Sequence, residues 1–273
     1  MSFKTGSQAV RVVLITGAAS GMGKACAERL AASGWRVFAG ARQALEPKGG
    51  VENVVMDVDD EVSVESAVDA ILAKTSRLDA VINCAGYALW GAVEDTTIEE
   101  AKAVFETNYF GVLRVCRAAM PALRVNGGHI VNISGLAGVV ALPFAAHYSA
   151  SKFAVEGLSE SLRLEARSFG VKVALVEPGY TRTSLKDKRR IAGASRNGVY
   201  ASAFDKFLHK NDEMRAAAIS PGAVAALVEG ILNDPHPKTR YTVGRFKQRL
   251  IPPLKRILPQ RMFEWVLRRS IGV

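Results

Sequence analysis

The 273-residue sequence has little with which to staple, metallate or cross anything. Cysteine occurs three times, as Cys26, Cys84 and Cys116. An odd number with no CxxC spacing argues against a disulfide framework and for reduced core thiols. The four histidines, His129, His147, His209 and His236, are scattered without HExxH or paired-ligand spacing, so no metal is expected. No run approaches the roughly 18 apolar residues of a membrane span. MSFKTGSQAVRVVLITG enters a strand pattern without the apolar stretch and cleavage site of a signal peptide; a cytoplasmic location is the expectation. Internal repeats and low-complexity linkers are missing too. Acidic residues are scarce at one end only. Residues 1–181 carry 17 Lys+Arg against 19 Asp+Glu, and residues 182–273 carry 19 against 7. The net charge of +10 therefore belongs to the last third.

What is present is alternation. VRVVLIT, WRVFAG, ENVVMD, LDAVIN, GHIVNIS and VKVALVEP are nearly continuous in β-branched and aliphatic residues, and helical stretches such as KACAERLAAS and VEGLSESLRLEARS separate them. Strands apolar on both faces belong to a parallel sheet covered on both sides. The expected fold is α/β, a Rossmann-type doubly wound parallel sheet in one domain over 1–273. After about residue 180 the alternation breaks into SLKDKRRIAGASRNG, a helix-like stretch and a basic, proline-punctuated tail. Residues 182–273 are expected to carry a substrate lid and a basic helical extension.

The first strand runs into TGAASGMGKACAERL, with Gly17, Gly21 and Gly23 at the bend into a helix. Glycine there lets a pyrophosphate approach the backbone, and a helix N-terminus supplies N–H donors and positive partial charge. The spacing is not the general GxGxxG, and a tight turn without ligand is the plainer alternative. In VFAGAR, Ala41 stands where an acidic residue would grip a ribose 2′-hydroxyl, and Arg42 follows it. An uncharged position beside a guanidinium suits a 2′-phosphate, so NADP(H) is favoured over NAD(H); otherwise Arg42 is a solvated surface arginine. In HYSASK, Tyr148 and Lys152 are four residues apart on a helical pattern and share a face, where an ammonium lowers a phenol's pKa. That makes an acid/base, although such pairs are also common as surface neighbours.

TGAASGMG, Asp57-Val58, NCAG, Asn108 in TNYFG, Tyr148 with Lys152, and PGYTRT, in this order, resemble the short-chain dehydrogenase/reductase family over roughly residues 10–185. The flanking sequence is most similar to the branch of hydroxysteroid and retinol dehydrogenases and related bacterial reductases. The resemblance implies that Gly17, Ser20, Gly21 and Met22 line the pyrophosphate and ribose, that Asp57 and Val58 hold the adenine, and that Asn83, Ala85 and Gly86 run along the middle of the cofactor. It implies that Pro178, Gly179, Thr181 and Thr183 close over the nicotinamide. Tyr148 would exchange a proton with the substrate oxygen, Lys152 would bind the nicotinamide ribose, and Asn108 would order a water on the proton path. It also implies a homodimer or homotetramer.

One position departs from the family. The serine that polarises the substrate oxygen lies thirteen residues before the tyrosine, and residue 135 is glycine, with Ser134 one place early. Consecutive strand side chains face opposite ways. Three explanations stand: the chain bends so that Ser134 enters the site, Tyr148 works with a backbone N–H or a substrate group, or this is a natural or engineered variant that has lost its serine.

Leu89, Trp90, Val140, Leu142, Phe144 and Tyr180 flank the expected centre. They include no Arg or Lys for a carboxylate, which points to a small apolar carbonyl or alcohol substrate. The tail RYTVGRFKQRLIPPLKRILPQRMFEWVLRRSIGV has nine Lys+Arg against Glu264 alone. Its apolar spacing makes amphipathic helices that cover the pocket, lie on an anionic membrane, or pack on the domain with a solvated basic face. No nucleic-acid motif accompanies the charge, and no nucleic-acid partner is expected. The overall expectation is an NADP(H)-dependent oxidoreductase interconverting a ketone and a secondary alcohol on an apolar substrate, impaired if no other donor replaces the serine at residue 135. The rival is a non-catalytic NADP(H)-binding sensor or scaffold.

Overall fold

The computed structural model describes residues 9–44, 46, 49–182, 189–216 and 218–271. The six apolar runs form parallel strands: β1 (Val12–Thr16), β2 (Arg36–Ala41), β3 (Val51–Val55), β4 (Ala80–Asn83), β6 (His129–Ile133) and β7 (Lys172–Pro178). A seventh, β9 (Arg240–Val243), completes one sheet in the order β3-β2-β1-β4-β6-β7-β9. The short β5 (Leu89–Trp90) and β8 (Arg190–Ile191) pair apart from it. RYTV, taken with the helical tail on sequence grounds, is thus the strand at the sheet edge. It carries Arg240, which ties the buried Glu156 and Glu177 to the sheet at 2.9 and 3.4 Å.

Both faces of the sheet are covered, which accounts for the unbroken apolar strands. Helix α1 (Gly21–Ala32) packs on α7 (Pro221–Asn233) on one side. On the other lie α2 (Glu61–Thr75), α4 (Gly111–Asn126) and α5 (Ala146–Glu165). Local chemistry sets their limits. Asp60 caps α2 by accepting from the Val62 and Ser63 amides, Thr97 and Glu100 form a reciprocal capping box on α3 (Ile98–Phe105), and Gly127 ends α4 in the left-handed region. Strand order reverses beside β1, so the carboxyl ends of β1 and β4 open the crevice where such sheets take ligands.

The last third adds α6 (Ala201–Ala216), α8 (Phe246–Arg249), α9 (Ile251–Ile257) and α10 (Gln260–Ile271). Phe204 and Phe207 of α6 are fully buried in a separate aromatic cluster with Trp90, Phe144 and Tyr148.

Candidate active site

The turn after β1 is built for close approach. Gly17 has φ +65°, and a Cβ there would stand 2.8 Å from the backbone of Ala85, so only glycine lets the first and fourth strand ends meet. Thr16 Oγ1 accepts from the Cys84 and Ala85 amides and locks that junction. Ser20 caps α1 without a side-chain hydrogen bond, and no acidic residue occupies the first turn, so the leading amides of this 12-residue helix remain free for an anion. Gly21 and Met22 begin that helix. At the end of β2, Ala41 is buried, whereas Arg42 is exposed and makes no hydrogen bond or ion pair among the described residues. Val58 is buried against Gly111, and one oxygen of Asp57 accepts the Asp59 amide while the other has no hydrogen bond among the described residues. These features fit a dinucleotide: an uncommitted helix N-terminus, an acceptor and apolar wall for a base, and a free guanidinium.

Asn83 opens the segment expected to run along the middle of the cofactor. Its side chain points into the core, donating to Asn132 Oδ1 at 2.8 Å; Asn132 in turn donates to Ser159 Oγ at 2.8 Å. The chain of amides ties β4 and β6 to α5, and so positions the helix that carries Tyr148. Gly86 lies nearer the centre, where a Cβ would stand 2.8 Å from Asn108 Oδ1 and 3.7 Å from Lys152 Nζ.

Asn108 sits in a π-helical turn, Glu106–Phe110, inserted between α3 and α4. Such one-residue insertions are frequent at functional sites. Its buried amide accepts from Tyr87 N and donates to Tyr87 O and Ser151 Oγ, each at 3.0 Å. Lys152 is also buried; it donates to Ile133 O at 2.9 Å, which leaves ammonium protons for hydroxyls of a ribose. Burial lowers the Lys152 pKa to about 8, opposed by the Cys84 and Glu156 charges.

Tyr148 is half-buried, with Trp90 at 6.4 Å between ring centroids. Its phenol is pushed up to about 12, because burial outweighs the opposing charge of Arg215. Lys152 lies one turn further along the same helix, α5.

Gly135 lies at φ +148°, ψ 169°, and a Cβ there would be 3.9 Å from Tyr148 Oη and 3.6 Å from Pro178 O. The position therefore faces the phenol, as the serine position should. Ser134, the expected substitute donor, is corrected: its buried Oγ points toward Gly138 and Glu156, and no hydrogen bond joins it to Tyr148. The bend at Gly135 does not bring it round, because its amide is still held in the sheet by Val176 O. Gly179 and Thr181 follow Pro178 beneath α8, where a Cβ on Gly179 would collide with Gln248. Thr181 is buried and donates to Gly179 O; Thr183 lies outside the described residues.

The short chain dehydrogenase family profile matches residues 11–192. A 3-ketodihydrosphingosine reductase of Bacteroides thetaiotaomicron is 38% identical over 260 residues, 94% of this chain and 97% of that one. The chain belongs to the short-chain dehydrogenase/reductase family. Among solved structures, a short-chain dehydrogenase from Streptomyces avermitilis superposes with a TM-score of 0.81 at 29% identity, covering 96% of this chain and 98% of that one. A single-residue variant of the actinorhodin polyketide ketoreductase, solved with NADPH, gives 0.70 at 29% identity over 86% and 95%. The protein is an oxidoreductase of this family, and the branch resemblance read from its motifs stands with it.

Within the family framework, α6 supplies what the motifs did not show. Phe207 packs on Trp90 at 5.1 Å and on Phe144 at 5.5 Å; one turn on, Asn211 donates to Tyr180 Oη at 3.1 Å. One further turn brings Arg215, half-buried, whose charge acts on the phenols of both Tyr148 and Tyr180. Its neighbour Asp212 is taken by Arg189 at 2.7 Å, and no hydrogen bond or ion pair among the described residues engages the Arg215 guanidinium. Arg215 stands on α6, outside the six flanking residues read from the sequence. The spacing of Phe204, Phe207, Asn211 and Arg215 was a readable helical stripe, but nothing local to it pointed to Tyr148. Among the expected apolar residues, Trp90, Leu142 and Phe144 join the aromatic wall; Leu89 and Val140 are core.

Proposed function

We propose that this chain is an NADP(H)-dependent reductase that interconverts a ketone and a secondary alcohol on an apolar substrate. The supporting observation is the placement of Tyr148: its hydroxyl faces the Gly135 loop, and its ring lies against the aromatic wall of Trp90, Phe144 and Phe207. The nicotinamide, when bound, supplies or accepts the hydride. The chain's residues hold the substrate oxygen against Tyr148 Oη and exclude water from the aromatic side. A phenol near 12 is protonated at neutral pH, so Tyr148 is poised to donate its proton to the oxygen as a carbonyl is reduced. Lys152 holds the ribose, and Asn108 fixes the Tyr87 backbone and the Ser151 hydroxyl beside it.

The named substrate of the Bacteroides relative, 3-ketodihydrosphingosine, is the first ketone to test, followed by steroid, retinoid and polyketide-like ketones. NADPH absorbance is the readout. A sensor or scaffold would bind NADPH tightly and reduce none of them, and that result would replace this proposal.

The NADP(H) preference is assigned to Arg42. Arg42→Ala is expected to weaken NADPH about tenfold to a hundredfold, the worth of a charge-assisted phosphate contact, and to leave NADH unchanged. Equal losses for both cofactors would remove Arg42 from the phosphate site. Arg215 is assigned to the polar end of the pocket. Its charge favours the phenolate, so in Arg215→Leu the rise of alcohol oxidation with pH should move to more alkaline values, with the NADP+ affinity unchanged. A superimposable pH profile would place Arg215 outside the reaction. A cytoplasmic homodimer or homotetramer is part of the proposal; exposed Phe110, Val125 and Phe153 on the π turn, α4 and α5 are the apolar surface available for it.

A further inference from the structure

Helices α8 and α9 run on from Phe246 to Ile257, with Leu250 between them in a helical conformation. Phe246, Leu250, Leu254 and Ile257 are four, four and three residues apart, which stacks them on one face. That face is turned outward: their exposures are 74, 39, 37 and 77%. Helix α10 repeats the arrangement with two stripes. Phe263, Leu267 and Ile271 turn inward, and α10 packs on α6. Met262, Trp265 and Val266 occupy the opposite side and stand 53, 61 and 38% exposed.

A helix that merely packs on its domain has one apolar stripe, buried, and a polar outer face. Here the outer face is apolar as well, and cations border it. Arg245, Lys247, Arg249, Arg256, Arg261, Arg268 and Arg269 are all exposed, and none has an ion-pair partner among the described residues. Arg269 lies over the Trp265 ring at 5.5 Å, and Glu264, the single acid, is engaged by Gln260.

We propose that α8–α10 dock the protein on the surface of a bilayer containing anionic lipid. A membrane interface accepts this pattern whole: apolar side chains sink to the acyl boundary, while arginine and lysine reach back to the phosphates. A second copy fits poorly, because two such faces would set one array of unpaired cations against another and desolvate both. Nucleic acid would satisfy the cations and leave the aliphatic side chains and Phe246 in water.

The face is rigidly joined to the catalytic cleft. Lys255 donates to Val139 O and lies over Phe153, while Gln248 packs on Gly179. Docking therefore sets the loops around Tyr148 at the lipid surface, where an apolar substrate dissolves. This last consequence rests on the proposed substrate class; the docking itself does not.

The full chain is tested by co-sedimentation with phosphatidylcholine vesicles, and with vesicles in which about a third of the lipid is phosphatidylglycerol. Binding to the anionic vesicles is expected at least about tenfold tighter, weakening as salt rises, with a blue shift from Trp265, since Trp35 and Trp90 are already buried. Ile257→Asp combined with Trp265→Asp, and separately Arg268→Glu with Arg269→Glu, should each lose about tenfold or more, with circular dichroism and turnover of a water-soluble ketone unchanged. Absence of binding, or equal binding to both vesicles, overturns the proposal. So does a sedimentation-velocity result in which these variants convert an oligomer to monomers without affecting vesicle binding, or DNA binding that matches the vesicle affinity and survives the Asp variants. Each of these outcomes is read without turnover of a lipid substrate, so the enzymatic proposal stands or falls separately.

Discussion

Replacing Tyr148 with phenylalanine should leave NADPH binding within about twofold of the parent and lower ketone reduction by about a hundred- to ten-thousandfold, the worth of a positioned proton donor. The substitution is mild for the fold. The ring keeps its place beside Trp90, and removing the hydroxyl breaks no hydrogen bond among the described residues, where Tyr148 holds its neighbours through its ring and its backbone carbonyl. The loss should appear in kcat, because the hydroxyl acts on the oxygen only as charge develops there. Stopped-flow absorbance under single-turnover conditions measures it directly. A rate within about threefold of the parent would remove Tyr148 from the chemistry and with it the proposed mechanism.

Gly135→Ser should raise turnover, by about tenfold to a thousandfold, while lowering stability. One preorganised donor to a developing oxyanion is worth roughly a hundred- to thousandfold, and the space for it exists. A side chain at residue 135 starts 3.9 Å from the phenol oxygen and meets no closer obstacle than Pro178 O at 3.6 Å. The obstacle is conformational. A φ of +148° is glycine territory, and holding serine there costs about 1–3 kcal/mol unless the loop relaxes. Gly135→Ala carries the same strain without the hydroxyl, so the serine-minus-alanine difference in kcat isolates the donor. If the two variants turn over alike, nothing is missing at residue 135, and a backbone amide, a substrate group or Arg215 already does that work. With Ser134 turned toward Glu156, it is not among those candidates.

The fold was legible where physics acts locally. Strands buried on both faces leave unbroken Val, Ile and Leu runs, and six of the seven strands of the main sheet were read that way. RYTV was not, because β9 is four residues long and only half-buried at the edge, with charged residues on either side. At the site, Gly17 and Gly135 announce their backbone freedom in their identity, and Tyr148 and Lys152 share a helix face by spacing alone. The motif position of Asn83 says nothing about which way its amide turns; the hydrogen bond to Asn132 decides that. Ser134 stayed open because strand alternation and a following glycine pull in opposite directions, and only the Val176 hydrogen bond decides between them.

By itself the sequence determined the doubly wound sheet, the glycine turn between the first strand and its helix, the Tyr148–Lys152 spacing and the glycine at residue 135. All of these depend on neighbours within a few residues or on a periodicity that burial imposes on every strand. The tertiary structure alone decided that Asn211 of α6 meets Tyr180, that Asn83 and Asn132 lock the sheet to α5, and that the apolar stripe of α8–α9 points outward. Those are meetings between segments far apart in the chain, and the charge or face that one segment presents to another is set by packing, which no local pattern encodes.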